Sequence, residues 1–399
     1  MPNPPNILWI LTTQWRAQAC GYAGDANART PCMDSLAARC VNFTQAVTPH
    51  PFGPFARAAI LTGVASPENG IRDYFDPLPP GARTVAHAMG ERGYSTAFFG
   101  KWHLHRRDAS AGLTGEDHAR IVVPEDSRGG FAFWEGFESG FLLNDPWMHG
   151  TRLPSPVRFH GYQSDVVCGR AAGYLRTLDA PWFAVVSLEA PHPPYDAPAA
   201  GARAPDPDGL RLRGNVPGAG PPAGRARREL SGYYAHIEAT DRAIGSLVGG
   251  LAPSTHVVVT SVHGDMHGSH GLFRKGWPFE ESIRVPLLVQ GPGAPVRDER
   301  PFSLIGLREM ALAWADGAPA PSAGGGASRI SMPSVVMLPD QCDRRWSGVR
   351  TGKRKLVLDD KGLPWLFFDL EADPLETRNL AGDPSRAAEI ASLSAQVSR

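Results

Sequence analysis

The sequence carries no excess of charge of either sign: its 399 residues include 40 lysines and arginines against 40 aspartates and glutamates. Proteins that bind nucleic acid or an anionic membrane surface usually present an extended basic region. The balance therefore gives no reason to expect nucleic acid or a membrane as a partner. Any basic site has to be a local cluster.

Long apolar runs and paired cysteines are lacking as well. No stretch reaches the roughly 18 apolar residues of a membrane-spanning helix, and the opening MPNPPNILWILTT has no basic segment of the kind that begins a signal peptide. The cysteines show no CxxC spacing and are odd in number: Cys20, Cys32, Cys40, Cys168 and Cys342. Reduced thiols that pack as small core residues fit this pattern. We therefore expect a cytoplasmic location.

What is present is an alternation of apolar strands with helical patterns. Continuous apolar runs predict strands buried on both faces of a parallel sheet, at 6–12, 95–100, 182–188 and 256–261. Apolar residues at helical spacing predict helices at 33–39, 57–62, 84–92 and 229–250, with Gly93 ending the third. This order indicates an α/β fold with a large, mostly parallel sheet sandwiched by helices.

Two segments break the alternation. Residues 197–226, rich in Pro, Gly, Ala and Arg, predict a long loop, and residues 317–329 (GAPAPSAGGGASR) predict a linker. The segments KLVLDD and WLFFDL and a helical pattern at 384–398 follow, and they predict a small antiparallel sheet with one helix. We therefore predict a main domain over residues 1–330 and a small α+β subdomain over residues 331–399.

Seven segments, in order over most of the chain, match the motifs of one enzyme family. They are TTQWR at 12–16, TPCMDSLAARCVNFTQA at 30–46, GPFARAAILTG at 53–63, YSTAFFGKWHLH at 94–105, APHPPY at 190–195, the segment from SVHGDMHGSHG to VPLLV at 261–289, and FFDLEADPLETRNLA at 367–381. Together they resemble the sulfatases of the alkaline-phosphatase superfamily, which include enzymes like phosphonate monoester hydrolase. The resemblance implies the fold of that superfamily, whereas function depends on the residues of the site.

The resemblance also implies what a working site needs: a Cys or Ser matured to formylglycine, and a divalent metal held by oxygen ligands. Gly53 stands at the nucleophile position of the C/S-x-P-x-R motif, and Phe55 replaces its proline. Thr13 and Val262 stand at two metal-binding aspartates, so that Gln14 and His263 alone remain of the metal set. One amide and one imidazole are too few for Ca²⁺ or Mg²⁺. We therefore predict no metal, no cofactor and no metal-dependent sulfatase activity.

The cationic half of the implied site is retained. Lys101 and His103 lie two residues apart at a strand end, so both should point to one face. Taken singly, each retained residue could be a solvated charge or an ordinary loop residue, but together they predict an oxyanion pocket. The predicted acid–base and anion contacts are His103, Lys101, His192 and Lys275, and the predicted substrate-binding residues are Arg57, Gln14, His263, His50 and His267.

Three histidines are additional to the family pattern: His50, His105 and His267. They could form a rebuilt acid–base site or a nitrogen-ligated zinc site. An incidental polar residue on a loop is the favoured interpretation of each one singly, and we do not predict a zinc site.

Three hypotheses of function remain open from the sequence. The first is a former sulfatase pocket that binds a small anion (sulfate, phosphate, sulfonate or carboxylate) and transforms it, if at all, without metal. The second is a non-catalytic pseudoenzyme that associates with itself or with an active partner subunit. The third is a residual sulfuric-ester hydrolase whose nucleophile is Thr12 or Thr13. Because a mere scaffold has no need of a cationic pocket, the first is favoured.

Overall fold

A computed structural model describes residues 4–179, 181–291, 295–319 and 326–397. Within these ranges the strands are β1 (Ile7–Thr12), β2 (Val41–Val47), β3 (Ser95–Lys101), β4 (Phe133–Phe137), β5 (Trp147–Gly150), β6 (Leu153–Arg158), β7 (Trp182–Ser187), β8 (His256–Ser261), β9 (Leu287–Gln290), β10 (Val296–Ser303), β11 (Ala327–Met332), β12 (Trp346–Thr351), β13 (Arg354–Leu358) and β14 (Pro364–Asp369). The α-helices there are α1 (Pro31–Ala37), α2 (Gly53–Thr62), α3 (Val85–Gly90), α4 (Glu116–Ala119), α5 (Gln163–Leu175), α6 (Pro221–Gly249), α7 (Glu280–Ile283), α8 (Leu307–Ala315) and α9 (Ala387–Val397).

A ten-stranded sheet forms the body of the protein, in the order β10-β2-β9-β8-β1-β7-β3-β4-β5-β6. Its centre is parallel: β1 lies between β7 and β8, and β3 lies between β7 and β4. Antiparallel pairs occur where β9 joins β8 and β2, and at the far edge through β5 and β6. The predicted α/β class with a large, mostly parallel sheet is confirmed.

Both faces of the sheet are covered by helices, and β1 shows why its sequence is apolar throughout. Ile7, Trp9 and Leu11 pack into the layer that contains α2, α3 and α8. Leu8 and Ile10 pack into the opposite layer, with α1, α5 and α6. Fully burying such a side chain contributes about 1.5–3 kcal/mol. Successive residues of β1 therefore stabilise the packing of the sheet against one helix layer and then against the other.

The four-stranded antiparallel sheet β11-β12-β13-β14 forms the C-terminal part and packs against α9. Buried ion pairs join it to the main sheet, because Glu280 of α7 meets Arg350 of β12 and Lys355 of β13. The predicted domain boundary between residues 330 and 331 lies inside β11, which pairs with β12 from Ala327 onward.

The predicted strands and helices match observed elements to within a few residues, with one clear error. Residues 197–226 were predicted to be loop throughout, but α6 begins at Pro221. Proline is well suited to the first turn of a helix, where its missing N–H has no partner to lose, so the Pro-rich stretch ends in a helix start. In the predicted linker, residues 320–325 lie outside the described residues and the last three belong to β11. Residue 398 of the predicted terminal helix is also outside them.

The carboxyl ends of four adjacent parallel strands, in the order β8-β1-β7-β3, lie along one edge of the large sheet. Open α/β sheets place their ligand sites outside the carboxyl ends of such strands. Across the described ranges, no helix combines the length and apolarity needed to cross a membrane.

Candidate functional site

A cavity of about 610 Å³ opens at the carboxyl ends of these four strands. Most of the predicted site residues lie in its wall, together with aromatic and apolar side chains that carry no motif. The lining residues used below are Thr13, Phe52, Gly53, Tyr74, Lys101, His103, Phe141, His192, Tyr195, Arg274, Lys275, His263 and Gln341. The cavity therefore combines a cationic floor with partly aromatic walls.

Lys101 ends β3 and is fully buried. Its Nζ donates a hydrogen bond to Glu189 Oε1 at 2.6 Å and lies 4.6 Å from the centre of the Phe141 ring. Burial lowers the pKa of Lys101 to about 8, and the nearby Glu189 carboxylate opposes that shift. Glu189 follows β7 directly, so the pair joins two neighbouring strand ends.

His192 and Lys275 form a second contact, between the loop after β7 and the loop after β8. Lys275 Nζ lies 2.9 Å from His192 Nε2 and donates a hydrogen bond to Gln14 Oε1 at 2.5 Å. His192 Nδ1 lies 2.7 Å from the carbonyl of Pro193, and its ring stacks on Phe141 with centres 4.3 Å apart. Burial, followed by the charge of Lys101, lowers the pKa of Lys275 to about 7.

His103 projects into the cavity beside the start of α2. Its backbone has a φ of 58°, an uncommon value for a residue other than glycine, and neither ring nitrogen has a hydrogen-bond partner among the described residues. A Cβ atom placed on Gly53 would lie 2.9 Å from His103 Nδ1. The residue at the nucleophile position is therefore small enough to let the imidazole approach the start of α2.

The three cavity histidines are neutral around physiological pH. Burial is the main cause that holds the pKa of His103, His192 and His263 well below the ordinary value of 6.5, and the charge of Lys275 adds to it in each case. His263 Nδ1 contacts the Gly264 carbonyl at 2.9 Å, which leaves Nε2 buried without a partner in the described part of the chain.

The residues at the metal position do not fit a hard divalent cation. Thr13 offers a hydroxyl that already donates to Leu188 O at 2.8 Å, and Val262 offers no ligand atom. Such an ion prefers several carboxylate and carbonyl oxygens.

The carboxylate of Asp265, beside Gln14, is already engaged in hydrogen bonds within the protein. It accepts hydrogen bonds from Gln14 Nε2, from the Tyr195 hydroxyl at 2.6 Å and from the His267 backbone N–H at 3.0 Å. Burial alone would raise its pKa, but His267, Arg274 and these hydrogen bonds outweigh burial and hold the pKa at about 2. The other oxygen of the set, Gln14 Oε1, accepts from the Lys275 ammonium.

Arg57 and Gln14 lie behind the cavity wall instead of in it. The Arg57 guanidinium donates to Thr13 Oγ1 at 2.7 Å, to the Lys101 carbonyl at 3.2 Å and to Ser187. Burial lowers the pKa of Arg57 to about 10, which leaves it charged. Its donors hold the strand ends together.

Two of the predicted binding histidines are not in the cavity wall, which corrects the prediction made from the sequence. His50 accepts the Ser66 N–H at Nε2 (2.8 Å) and contacts the Ser331 carbonyl at Nδ1 (3.1 Å), so it joins the loop after α2 to the C-terminal sheet. His267 is buried against Tyr233, with ring centres 4.2 Å apart. Each position follows from tertiary packing and not from closeness to a motif in sequence.

The extra histidines do not assemble a zinc site in the described residues. The one group of potential ligands found there lies elsewhere: His270, Glu281 and Glu376. Its carboxylates already face cations, since Glu281 pairs with Arg213 and Glu376 with Lys355. His105 is half-buried and lies beside Glu138. The backbone N–H of His105 donates a hydrogen bond to the Glu138 carboxylate at 3.1 Å.

Sequence reasoning missed several residues of the site. Asp265 lies within a quoted motif and Glu189 lies directly before one, so both could have been found as carboxylates near strand ends. Phe141 and Gln341 follow no motif: Phe141 stacks on His192, and Gln341 accepts the backbone N–H of Lys275 at 3.2 Å. Only the folded chain brings these two to the cavity.

Comparisons with known proteins agree with this fold. A family model described as "Sulfatase" matches residues 5–317. An ulvan-active sulfatase of Formosa agariphila is 34% identical, over 96% of this chain and 78% of its own, and a choline-sulfatase of Rhizobium meliloti is 28% identical, over 98% and 85%. The crystal structure of yidJ from Bacteroides fragilis superposes with a TM-score of 0.86 at 22% identity, covering 100% of this chain and 95% of that one. A phosphonate monoester hydrolase of Agrobacterium radiobacter gives 0.71 at 21% identity, covering 98% and 94%.

Proposed function

Because this chain belongs to the sulfatase family, we propose that it uses the family's pocket, without a divalent metal or a formylglycine, to bind a small anion. The observation that carries the proposal is the contrast within one cavity. The resemblance places Gly53, Thr13 and Val262 at positions of reactive and metal-binding groups, whereas two lysines and three histidines line the cavity. Of these histidines, His103 and His263 have buried ring nitrogens that the described residues leave without partners.

The electrostatics of the cavity also favours an anionic ligand. Lys101 and Lys275 place two amines in a buried region, where burial lowers the pKa of Lys101 to about 8 and that of Lys275 to about 7. A bound anion would favour their charged forms and offset this desolvation. The cavity is therefore better suited to an anion than to a neutral or cationic ligand.

The proposed chemical class of the ligand is defined by its anionic group alone, and not by its organic part. Relatives are named for ulvan, choline sulfate and phosphonate monoesters, which differ in the organic part but share a tetrahedral anionic group. We propose sulfate, phosphate or sulfonate esters, or a carboxylate, as ligands of this chain.

The five cysteines are free, in keeping with a reducing compartment. We propose the cytoplasm as the location of the protein.

The test is isothermal titration calorimetry of chelator-treated protein with sulfate, phosphate, methanesulfonate and acetate. We expect saturable binding of at least one tetrahedral anion, unaffected by chelator. Lys275→Met removes a charged hydrogen-bond donor and should weaken binding by about 1.5–3 kcal/mol, which is roughly 10- to 150-fold.

The matched control is Lys353→Met, at a lysine whose side chain is 69% exposed and which lies outside the cavity. It should leave affinity unchanged. Binding that requires added Ca²⁺ or Mg²⁺, or an equal loss in both variants, would contradict the proposal.

A further inference from the structure

The contact between Gly53 and His103 points to more than binding. A side chain on residue 53 would have to share its space with the imidazole, since its first carbon would lie 2.9 Å from Nδ1 and 3.2 Å from Cε1. Contacts of that kind between non-bonded heavy atoms are repulsive. The glycine thus opens a direct path from His103 Nδ1 to the place where the nucleophile of the family begins.

We propose that His103 is itself a nucleophile, which takes the phosphoryl or sulfuryl group of a bound monoester onto Nδ1. The inference rests on the proposed anion binding and adds a covalent step to it.

Three features of His103 suit this role. Its side chain is buried, and both ring nitrogens are buried without hydrogen-bond partners in the described residues, so no hydrogen bond there occupies the lone pair of the neutral ring. The ring is held edge-on by Tyr74 and Phe141, with centres 5.7 and 6.4 Å away. Its backbone is fixed by an N–H donated to the Glu138 carbonyl at 2.9 Å.

The other cavity histidines are less free to attack. In His192, Nδ1 contacts the Pro193 carbonyl and Nε2 contacts the Lys275 amine. His263 spends Nδ1 on the Gly264 carbonyl. Among the histidines of the cavity wall, His103 is therefore the one whose two nitrogens are both uncommitted within the described ranges.

The reaction balances without any outside reagent except water. The Nδ1 lone pair forms a bond to phosphorus or sulfur while the ester bond to oxygen breaks, and its electron pair leaves with the oxygen. The Lys275 ammonium gives that oxygen a proton, which yields an alcohol. Water then attacks the N-phosphoryl or N-sulfuryl imidazole, the bond to nitrogen breaks, and the proton returns to Lys275 as inorganic phosphate or sulfate forms. The net reaction is hydrolysis of the ester.

The test uses the full chain with 2,4-dinitrophenyl phosphate and, separately, 2,4-dinitrophenyl sulfate. Rapid quenching under alkaline conditions, which preserve phosphohistidine, is followed by intact-mass measurement and peptide mapping. We expect a burst of dinitrophenolate of about one equivalent and one acid-labile group on His103.

Two variants separate a chemical role from a structural one. His103→Asn should abolish the adduct, and Gly53→Ala should abolish it as well by crowding Nδ1 while the imidazole remains. The control is His160→Asn, since the His160 side chain is 90% exposed, and its adduct should match that of the unchanged chain. Circular dichroism verifies that each variant is folded, and adduct yields are compared at ester concentrations above the dissociation constant that phosphate calorimetry gives for that variant.

Three results would overturn the inference: an adduct that maps to another residue, an adduct that survives in His103→Asn, or turnover with no adduct at any quench time. Phosphate binding by calorimetry without any adduct would defeat the inference and leave the proposed function standing. A lack of binding by any anion would defeat both.

Discussion

Raising the pH from about 6 to about 9 should weaken sulfate binding, because Lys275 has a pKa of about 7 in the free protein. Sulfate keeps its charge over this range, so any change reports protons on the protein. Below about pH 7 the free amine is already charged and affinity should be flat. Above it, the charged amine required by the anion must be formed by proton uptake, since a bound dianion favours the protonated form. The dissociation constant should rise tenfold per pH unit, to about 100-fold at pH 9, or roughly 2.7 kcal/mol.

The assay is calorimetry at each pH in two buffers of different ionisation enthalpy, which counts the protons taken up. Uptake by Lys275 should be near zero at the acid end and approach one at the alkaline end, where Lys101 raises the total above one. Lys101, with a pKa of about 8, adds to the weakening in the same direction. Lys275→Met should flatten the lower part of the profile, whereas Lys353→Met should preserve it. Affinity that stays constant from about pH 6 to about pH 9, or proton release on binding, would refute the reasoning.

Two further predictions concern the pocket's charges. Lys101→Met leaves the Glu189 carboxylate buried and unpaired, and it should lower the free energy of unfolding in urea by about 3–5 kcal/mol; adding Glu189→Gln should restore part of that loss, and a single variant as stable as the parent would contradict the pairing. The double variant Thr13→Asp with Val262→Asp should gain Ca²⁺ or Mn²⁺ measurable by elemental analysis after dialysis, with a metal-dependent rise in Tm, whereas the parent chain should retain neither ion.

The centre of the fold could be predicted from the sequence because its strands are buried on both faces. Ile7–Thr12 and Trp182–Ser187 are apolar at nearly every position and stand out without any partner being known. The edge strands Leu153–Arg158 and Val296–Ser303 contain proline and charged residues and are largely exposed. Their strand state depends on pairing with a neighbour, which no local pattern reveals.

The site divides in the same way. Lys101 and His103 could be predicted because they lie in a motif at a strand end, where parallel topology gathers side chains. Lys275 could be predicted from its motif alone, since it lies in the long loop after β8. His50 was assigned to the pocket because it precedes the nucleophile loop, but the chain turns it toward Ser331. Phe141 had no signal in the sequence, since its place beside His192 depends on the path of the loop between β4 and β5.

The central claim is that side chains of the cavity hold an anion without a divalent metal. Crystallography with selenate tests this claim most directly. Crystals of chelator-treated protein would be soaked in selenate and measured at the selenium absorption edge, where the anion is identified by its anomalous signal. The account predicts one selenium peak in the cavity between His103, His263 and Lys275, with no divalent ion beside Gln14 and Asp265. A metal ion ligated by Gln14, Asp265 and His263, or selenate bound only outside the cavity, would contradict it.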